Sequence, residues 1–216
     1  MFSCRSAMRF ALIVAIVCLS GVPARAGAVT YTDYGGWSAA MSGTITNVTI
    51  PDPGAAEVTY FGHGDASVTY AGVTFSTSSV LGNGYFFDVG TLLSGGPAVL
   101  SSQQETTGVA NIQTTLPGDV TGFALNYGTS NGSGVTFLLS NGDTVTLGST
   151  GSGYSVPNFF GITDTTPFDS VLMTSPDWVL NLNNVSYGTT IPEPATWLLL
   201  SGGLAVATVL RRRRGC

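Results

Sequence analysis

Between Gly27 and Thr190 the chain carries eleven carboxylates and neither a lysine nor an arginine. Its acid–base equipment is confined to these acids and to His63, the one histidine. Two chemistries are open to such a set. A pair of carboxyls about 5–10 Å apart, one kept protonated by its surroundings, can cleave a glycosidic bond; Glu57 and Glu105 are the only glutamates in this stretch. Alternatively, hard cations take oxygen ligands from Asp, Asn and backbone carbonyls in loops. Asp65, Asp88, Asp164 and Asp169 are the candidate calcium donors, although no D-x-D-x-D-G loop is present. Most of the acids lie near Gly or Pro, where Asp commonly serves as a backbone acceptor in turns, so the body reads as non-catalytic.

Nucleophilic catalysis finds little support. Gly128-Thr129-Ser130-Asn131-Gly132 fits the G-x-S-x-G pattern, but that pattern needs a strand, a sharp turn and then a helix, and here a second strand follows. His63 precedes the serine, whereas the hydrolase order places it last. Cys4, Cys18 and Cys216 all fall near the ends, which removes thiolate, Cys-zinc and iron–sulfur chemistry from the middle of the chain. A body without cations cannot neutralise phosphates, so nucleic acid is excluded as a partner. Neutral sugars remain compatible. They would use exposed ring faces, for which Trp37, Tyr85, Tyr154 and Trp178 are the candidates, with core packing as the competing fate of each ring.

The elements that must position these residues read as strands. Phe123, Leu125 and Tyr127 alternate with smaller or polar residues, as do Val135, Phe137 and Leu139, and then Val145 and Leu147. One side of each segment can therefore enter a core. Asn141-Gly142 predicts a two-residue type I′ hairpin turn. Further strands are predicted over 44–50, 57–61, 66–70, 73–77, 85–89, 98–101, 109–115, 159–163, 170–174 and 178–185, with a short helix over 34–41. A dozen short strands with tight turns predict an all-β fold, an antiparallel β-sandwich with a jelly-roll-like arrangement.

The seven basic residues all lie outside this body. Arg5 and Arg9 precede an apolar run from Phe10 to Leu19, and Ala24-Arg25-Ala26 places small residues where a signal peptidase reads. Residues 1–26 are therefore expected to be a secretory signal peptide, cleaved after Ala26. At the other end, Pro192-Glu193-Pro194 precedes an apolar segment, 195–210, closed by Arg211, Arg212, Arg213 and Arg214. As a helix those sixteen residues would rise about 24 Å, just short of a roughly 30 Å hydrocarbon core. The arginines would hold its end in the cytoplasm.

This ordered tail resembles the PEP-CTERM sorting signal of Gram-negative bacteria. The resemblance implies a substrate of an exosortase, a membrane transpeptidase-like protein that cuts near the triplet, and it implies company with exopolysaccharide production. A second resemblance rests on the cadence Phe159-Phe160-Gly161-Ile162-Thr163, Pro167-Phe168-Asp169-Ser170-Val171 and Leu182-Asn183-Asn184-Val185-Ser186-Tyr187-Gly188, which is similar to the closing strands of carbohydrate-binding-type sandwiches. The expectation is thus a signal peptide (1–26), a β-sandwich (27–190) and a sorting segment (191–216). It describes an exported cell-surface or matrix protein, handled by the secretion machinery, signal peptidase and exosortase and anchored transiently or permanently through its C-terminal helix. A glycan-binding module, calcium-dependent or not, is the competing reading, with a glycoside hydrolase behind it.

Overall fold

A computed structural model describes residues 27–78, 84–104 and 109–190. The expected signal peptide (1–26), the segment 195–210 expected to form an apolar helix, and Glu105 lie outside the described residues. Among the described residues no helix is long and apolar enough to cross a membrane.

The alternating segments do form strands: β1 (Val29–Tyr31), β2 (Ile45–Val48), β3 (Val58–His63), β4 (Ser67–Tyr70), β5 (Val73–Ser76), β6 (Gly84–Val89), β7 (Val99–Gln104), β8 (Ala110–Thr129), β9 (Val135–Leu139), β10 (Thr144–Leu147), β11 (Asn158–Ser175) and β12 (Val179–Gly188). Among the described residues two short α-helices, α1 (Tyr34–Ala40) and α2 (Thr91–Ser94), and a 3₁₀ turn at Gly54–Ala56 interrupt them. Asp33 caps α1, its Oδ1 accepting from Gly36 N at 2.7 Å, the role expected of an N-cap aspartate. Every strand pairing is antiparallel, and the main path runs β10-β9-β11-β8-β12-β7-β6-β3, with β1 on β11, β2 on β12 and the β4–β5 hairpin on β8.

Two long strands fold this sheet into layers. The first half of β8 pairs with β5 and with the second half of β11, while its second half pairs with β12 and the first half of β11. The β8–β11 ladder breaks between Thr163 and Ser170, opposite Pro117-Gly118-Asp119. Proline cannot donate to a ladder and is tolerated at such bulges. Layer A is then β4-β5-β8-β11-β9-β10, and layer B is β11-β8-β12-β7-β6-β3.

One hydrophobic cluster joins the inner faces, with Phe75, Ile112, Phe137, Val171 and Met173 from layer A and Phe86, Leu100, Leu125, Phe160 and Leu182 from layer B. Phe137 and Phe160 stack across the gap with centroids 3.9 Å apart. The body is a β-sandwich.

The β9–β10 hairpin forms where expected, but its turn differs. Gly142 N donates to Leu139 O at 2.9 Å, and only Gly142, not Asn141, has a positive φ. A type I′ turn would need both. Asn141 instead donates to Asp164 Oδ2 at 2.8 Å and to Thr166 O at 2.9 Å, and accepts from Asp143 N at 3.0 Å. This anchoring to the β11 corner holds Asn141 out of the left-handed region.

Helix α1 covers part of the outer face of layer B. Trp37 is fully buried there, packed with Met41 and Ala124, and its Nε1 donates to Ile162 O at 3.1 Å. A Cβ on Gly161 would lie 2.9 Å from two atoms of the Trp37 ring. Gly161→Ala is therefore expected to cost about 1–3 kcal/mol, the usual range for overpacking. The expected loss in melting temperature is about 2–4 °C per kcal/mol. Gly118→Ala, where a Cβ meets nothing within 4 Å, should leave the melt unchanged.

Candidate functional site

The outer face of layer B beyond α1 carries the side chains opposite the core in β3, β6, β7, β8 and β12. In β6, Phe86 and Asp88 turn inward, so Tyr85, Phe87 and Val89 face out. Their register partners are Gln103, Ser101 and Val99 in β7. Across the next pairing Asn181 lies opposite Ser101, and Asn183 lies opposite Asn126 in β8. The amides and hydroxyls on this side of the sheet, Ser101, Asn181 and Asn183, are themselves buried, and aromatic rings run along one margin.

Those rings form a connected row. His63 meets Tyr85 edge-on at 5.2 Å, Tyr85 meets Tyr60 at 6.2 Å, Tyr60 meets Phe87 at 5.3 Å, and Phe87 meets Tyr154 edge-on at 5.9 Å. Phe87 is buried beneath the others, while Tyr60 and Tyr85 are 67% and 41% exposed. The bulge between Tyr60 and Gly62 in the β3–β6 pairing lies beneath this row, at a sheet edge where bulges commonly redirect side chains.

The loop carrying Tyr154 is fastened down by amides. Asn158 Nδ2 donates to Thr150 O at 2.7 Å, and its Oδ1 accepts from Thr150 N at 3.2 Å. Asn181 Nδ2 donates to Gly153 O at 3.1 Å, and Asn181 Oδ1 accepts from Ser101 Oγ at 2.7 Å. Gly128 lets the loop approach, because a Cβ there would strike Ser155 O. Between this loop and the 94–97 turn lies a cavity of about 320 Å³, lined by Asn126, Asn184, Tyr154, Val156 and Pro157 among others. Asn184 takes a left-handed φ of 51° at the bulge in β12, and its Nδ2 donates to Asn126 Oδ1 at 3.2 Å. Asn183 Oδ1 accepts from Asn184 N, while Asn183 Nδ2 is buried without a partner. An apolar wall facing paired amides suits a neutral, hydroxyl-rich ligand.

Of the four rings named from sequence, the structure places Tyr85 and Tyr154 in this row. Trp37 is corrected: it is a core residue, buried by the fit of α1 against Gly161, and shows no face to solvent. Trp178 is 56% exposed at the start of β12. Its backbone N donates to Asp177 Oδ1 at 3.1 Å. Tyr60, Asn126 and Asn184 were not singled out by sequence reading. Tyr60 lies on an edge strand whose bulge hides its facing, and Asn126 and Asn184 read as ordinary solvated positions in their strands.

The carboxylates divide by role. Asp177 is buried, with its oxygens accepting from Asn131 Nδ2 (2.6 Å), Asn131 N (2.8 Å), Ser130 Oγ (3.2 Å) and Ser133 N (3.3 Å). Burial alone would raise its pKa, but these hydrogen bonds outweigh it and bring the carboxyl down to about 2. Ser130, the serine of the G-x-S-x-G pattern, is thus held by a structural aspartate in a loop that leads into strand β9.

Asp164 is also an internal brace, accepting from Asn141 and from Thr166 N at 2.8 Å each. Asp65 and Asp169 are exposed, whereas Asp88 is buried in β6. The four acids named as calcium donors are therefore corrected as a set: among the described residues no three acidic or histidine side chains stand together as a metal cage. Fold order explains this, since Asp164 and Asp169 flank the β11 corner, Asp88 lies in layer B and Asp65 lies in the turn between β3 and β4.

Burial raises the Asp88 pKa to about 7, against the lowering hydrogen bonds from Tyr70 and Val89 N and with further help from the charge of Asp52. Tyr70 O–H donates to Asp88 Oδ2 at 3.3 Å.

Residues 190–214 match the PEP-CTERM protein-sorting motif, and the chain carries that sorting signal. No curated protein matches the chain. Among solved structures it is similar to a family 29 carbohydrate-binding module, CBM29-2, at 15% identity over 70% of this chain and 99% of that one, with a TM-score of 0.32. It is also similar to the low-affinity xylan-binding module CBM86 from Roseburia intestinalis, at 13% identity over 67% and 95% of the two chains, TM-score 0.33. A third similarity is to the module CBM6cm-2 of Cellvibrio mixtus lichenase 5A, at 13% identity over 68% and 98%, TM-score 0.28.

Proposed function

We propose that this chain is an exported, non-catalytic cell-surface or extracellular-matrix protein that contacts neutral extracellular polysaccharide through the outer face of layer B. In this reading signal peptidase removes residues 1–26. The segment 195–210 holds the protein in the inner membrane, and an exosortase cuts near Pro192-Glu193-Pro194. A jelly-roll-like sandwich is the delivered body, and exopolysaccharide is its neighbour outside.

The observation that carries the reading is the aromatic row from His63 to Tyr154, set beside an Asn-lined cavity in a body with no lysine or arginine. Pyranose rings present apolar C–H faces that pack on tyrosine, and their hydroxyls match amide donors and acceptors. A surface without cations has no means of pairing with sulfated, phosphorylated or nucleic polyanions.

The test is a glycan array probed with the full chain in detergent. Selective binding to neutral polysaccharides, little changed by salt, is expected. Replacing Tyr60 and Tyr85 by alanine should weaken it about tenfold per ring, equivalent to about 1.4 kcal/mol each. Absence of any glycan binding, or equal binding by the ring variants, would leave a matrix scaffold with no sugar site.

A further inference from the structure

Asp88 is only 3% exposed, in a body with no lysine or arginine to pair with it. It turns into the gap between the layers from β6, and Tyr70 reaches it from β4, the tyrosine O–H donating to Asp88 Oδ2 at 3.3 Å. The Tyr70 ring is set by Phe61 and Phe75, with centroids 6.5 Å and 6.2 Å away. Strand β4 is an edge of layer A and pairs only with β5 among the described residues. The Tyr70–Asp88 hydrogen bond therefore ties that edge across the core to layer B.

The carboxyl is half satisfied. Asp88 Oδ1 is buried and has no hydrogen-bond partner, so nothing compensates a charge there. A buried unpaired charge costs far more than a buried neutral acid. Burial, the Asp88 charge and their shared hydrogen bond all raise the Tyr70 pKa, so the tyrosine remains a donor.

The neighbours supply no countercharge. Opposite Asp88 stand Thr59 in β3 and Leu100 in β7, neither of which titrates. Asp52, from the β2–β3 connection, adds a like charge. Glu57, at the entry to β3, has its Oε2 over Gly90, two residues further along. His63 lies opposite Tyr85, three residues back and about 10 Å along the strand.

We infer that Asp88 is a proton-operated latch between the layers: neutral, it closes the contact between β6 and the β4–β5 hairpin, and ionised, it loosens it. Burial lifts the carboxyl from its ordinary 3.8 to about 7, against the hydrogen bonds from Tyr70 and Val89 N and with the charge of Asp52. The folded state thus holds this proton more tightly than the unfolded chain. Its stabilisation is full below about pH 4 and is lost as pH rises through 7. The latch does not depend on glycan binding, although β6 carries Tyr85 and Phe87 on its other face.

The experiment follows the side-chain carboxyl carbons of the 13C-labelled full chain in detergent by NMR from pH 3 to 9. One aspartate resonance is expected to titrate near pH 7, a proton affinity about 1,000-fold above the ordinary value, and to be missing from Asp88→Asn. Tyr70→Phe removes a hydrogen bond that favours the charged form, so it should move that midpoint upward. Between pH 4 and 8 the wild-type melting temperature should fall about 5–10 °C more than that of Asp88→Asn. Should the asparagine variant fail to fold, the wild-type titration and Tyr70→Phe decide. Carboxyls that all titrate below about pH 5, a Tyr70→Phe midpoint unmoved or lowered, or equal melting declines in wild type and Asp88→Asn would overturn the latch.

Discussion

Asp177→Ala is expected to lower the melting temperature by about 5–15 °C. The side chain is buried at the start of β12 and accepts from Asn131, Ser130, Ser133 and Trp178. Removing it strands these donors in a part of the fold where β8, β9 and β12 meet. Buried donors left unpaired cost about 1–3 kcal/mol each when water cannot reach them. Some of these will find water at the loop surface, so a net loss of about 2–4 kcal/mol is the reasonable expectation, worth about 2–4 °C per kcal/mol.

The same residue sets an acid limb. Its carboxyl is held at about 2 in the fold, below the 3.8 of an unperturbed aspartate. The folded state therefore holds the proton less tightly than the unfolded state. The stabilisation is fully present above about pH 4 and is lost as pH falls toward 2. Asp177→Asn should flatten this limb by about 2 kcal/mol, while keeping more of the neutral-pH stability than Asp177→Ala. Melting curves between pH 2 and 7 read both effects. A wild-type acid limb that persists unchanged in the asparagine variant would assign it to other carboxylates.

The second large effect concerns delivery. Replacing Pro192, Glu193 and Pro194 with alanine should leave the body's fold unchanged and abolish processing of the tail. Every cation of the chain flanks an apolar terminal segment, where positive charge sets membrane orientation, and residues 190–214 carry the sorting motif. With the triplet gone, the expected product keeps 195–216 and stays with the membrane fraction, whereas the wild-type chain is expected to be released or transferred. Fractionation with an antibody to the body distinguishes the two. Release of the alanine variant at the wild-type level would mean that cutting does not depend on the triplet.

Much of the sandwich was legible because a half-buried strand writes its facing into every second residue. Phe123-Leu125-Tyr127 and Val135-Phe137-Leu139 are buried as their alternation implies. The expected strands 109–115 and 159–163 stop short of Pro117-Gly118 and Pro167, yet each of these sits inside a long strand, at the corner where the ladder between β8 and β11 is interrupted. A corner of this kind is a property of two strands bending together, and neither strand's sequence contains it alone.

The candidate site was less legible for a related reason. Tyr154 and Tyr85 were visible as rings, but their connection through Tyr60 and Phe87 depends on a bulge in β3 and on a loop anchored by Asn158 and Asn181. Trp37 was misplaced because Gly161, distant in sequence, supplies the hollow that buries it. By contrast, the sorting tail was readable at once, because its triplet, apolar run and arginines are contiguous.

The most direct single measurement is the intact mass of the protein recovered from outside the producing cell. A product that begins at Gly27 and has lost Arg211 to Arg214 is expected, leaving an acidic body with no side-chain cation except His63 when protonated. Recovery of the unprocessed chain, Met1 to Cys216, from the cytosol would contradict the division between delivering ends and delivered sandwich.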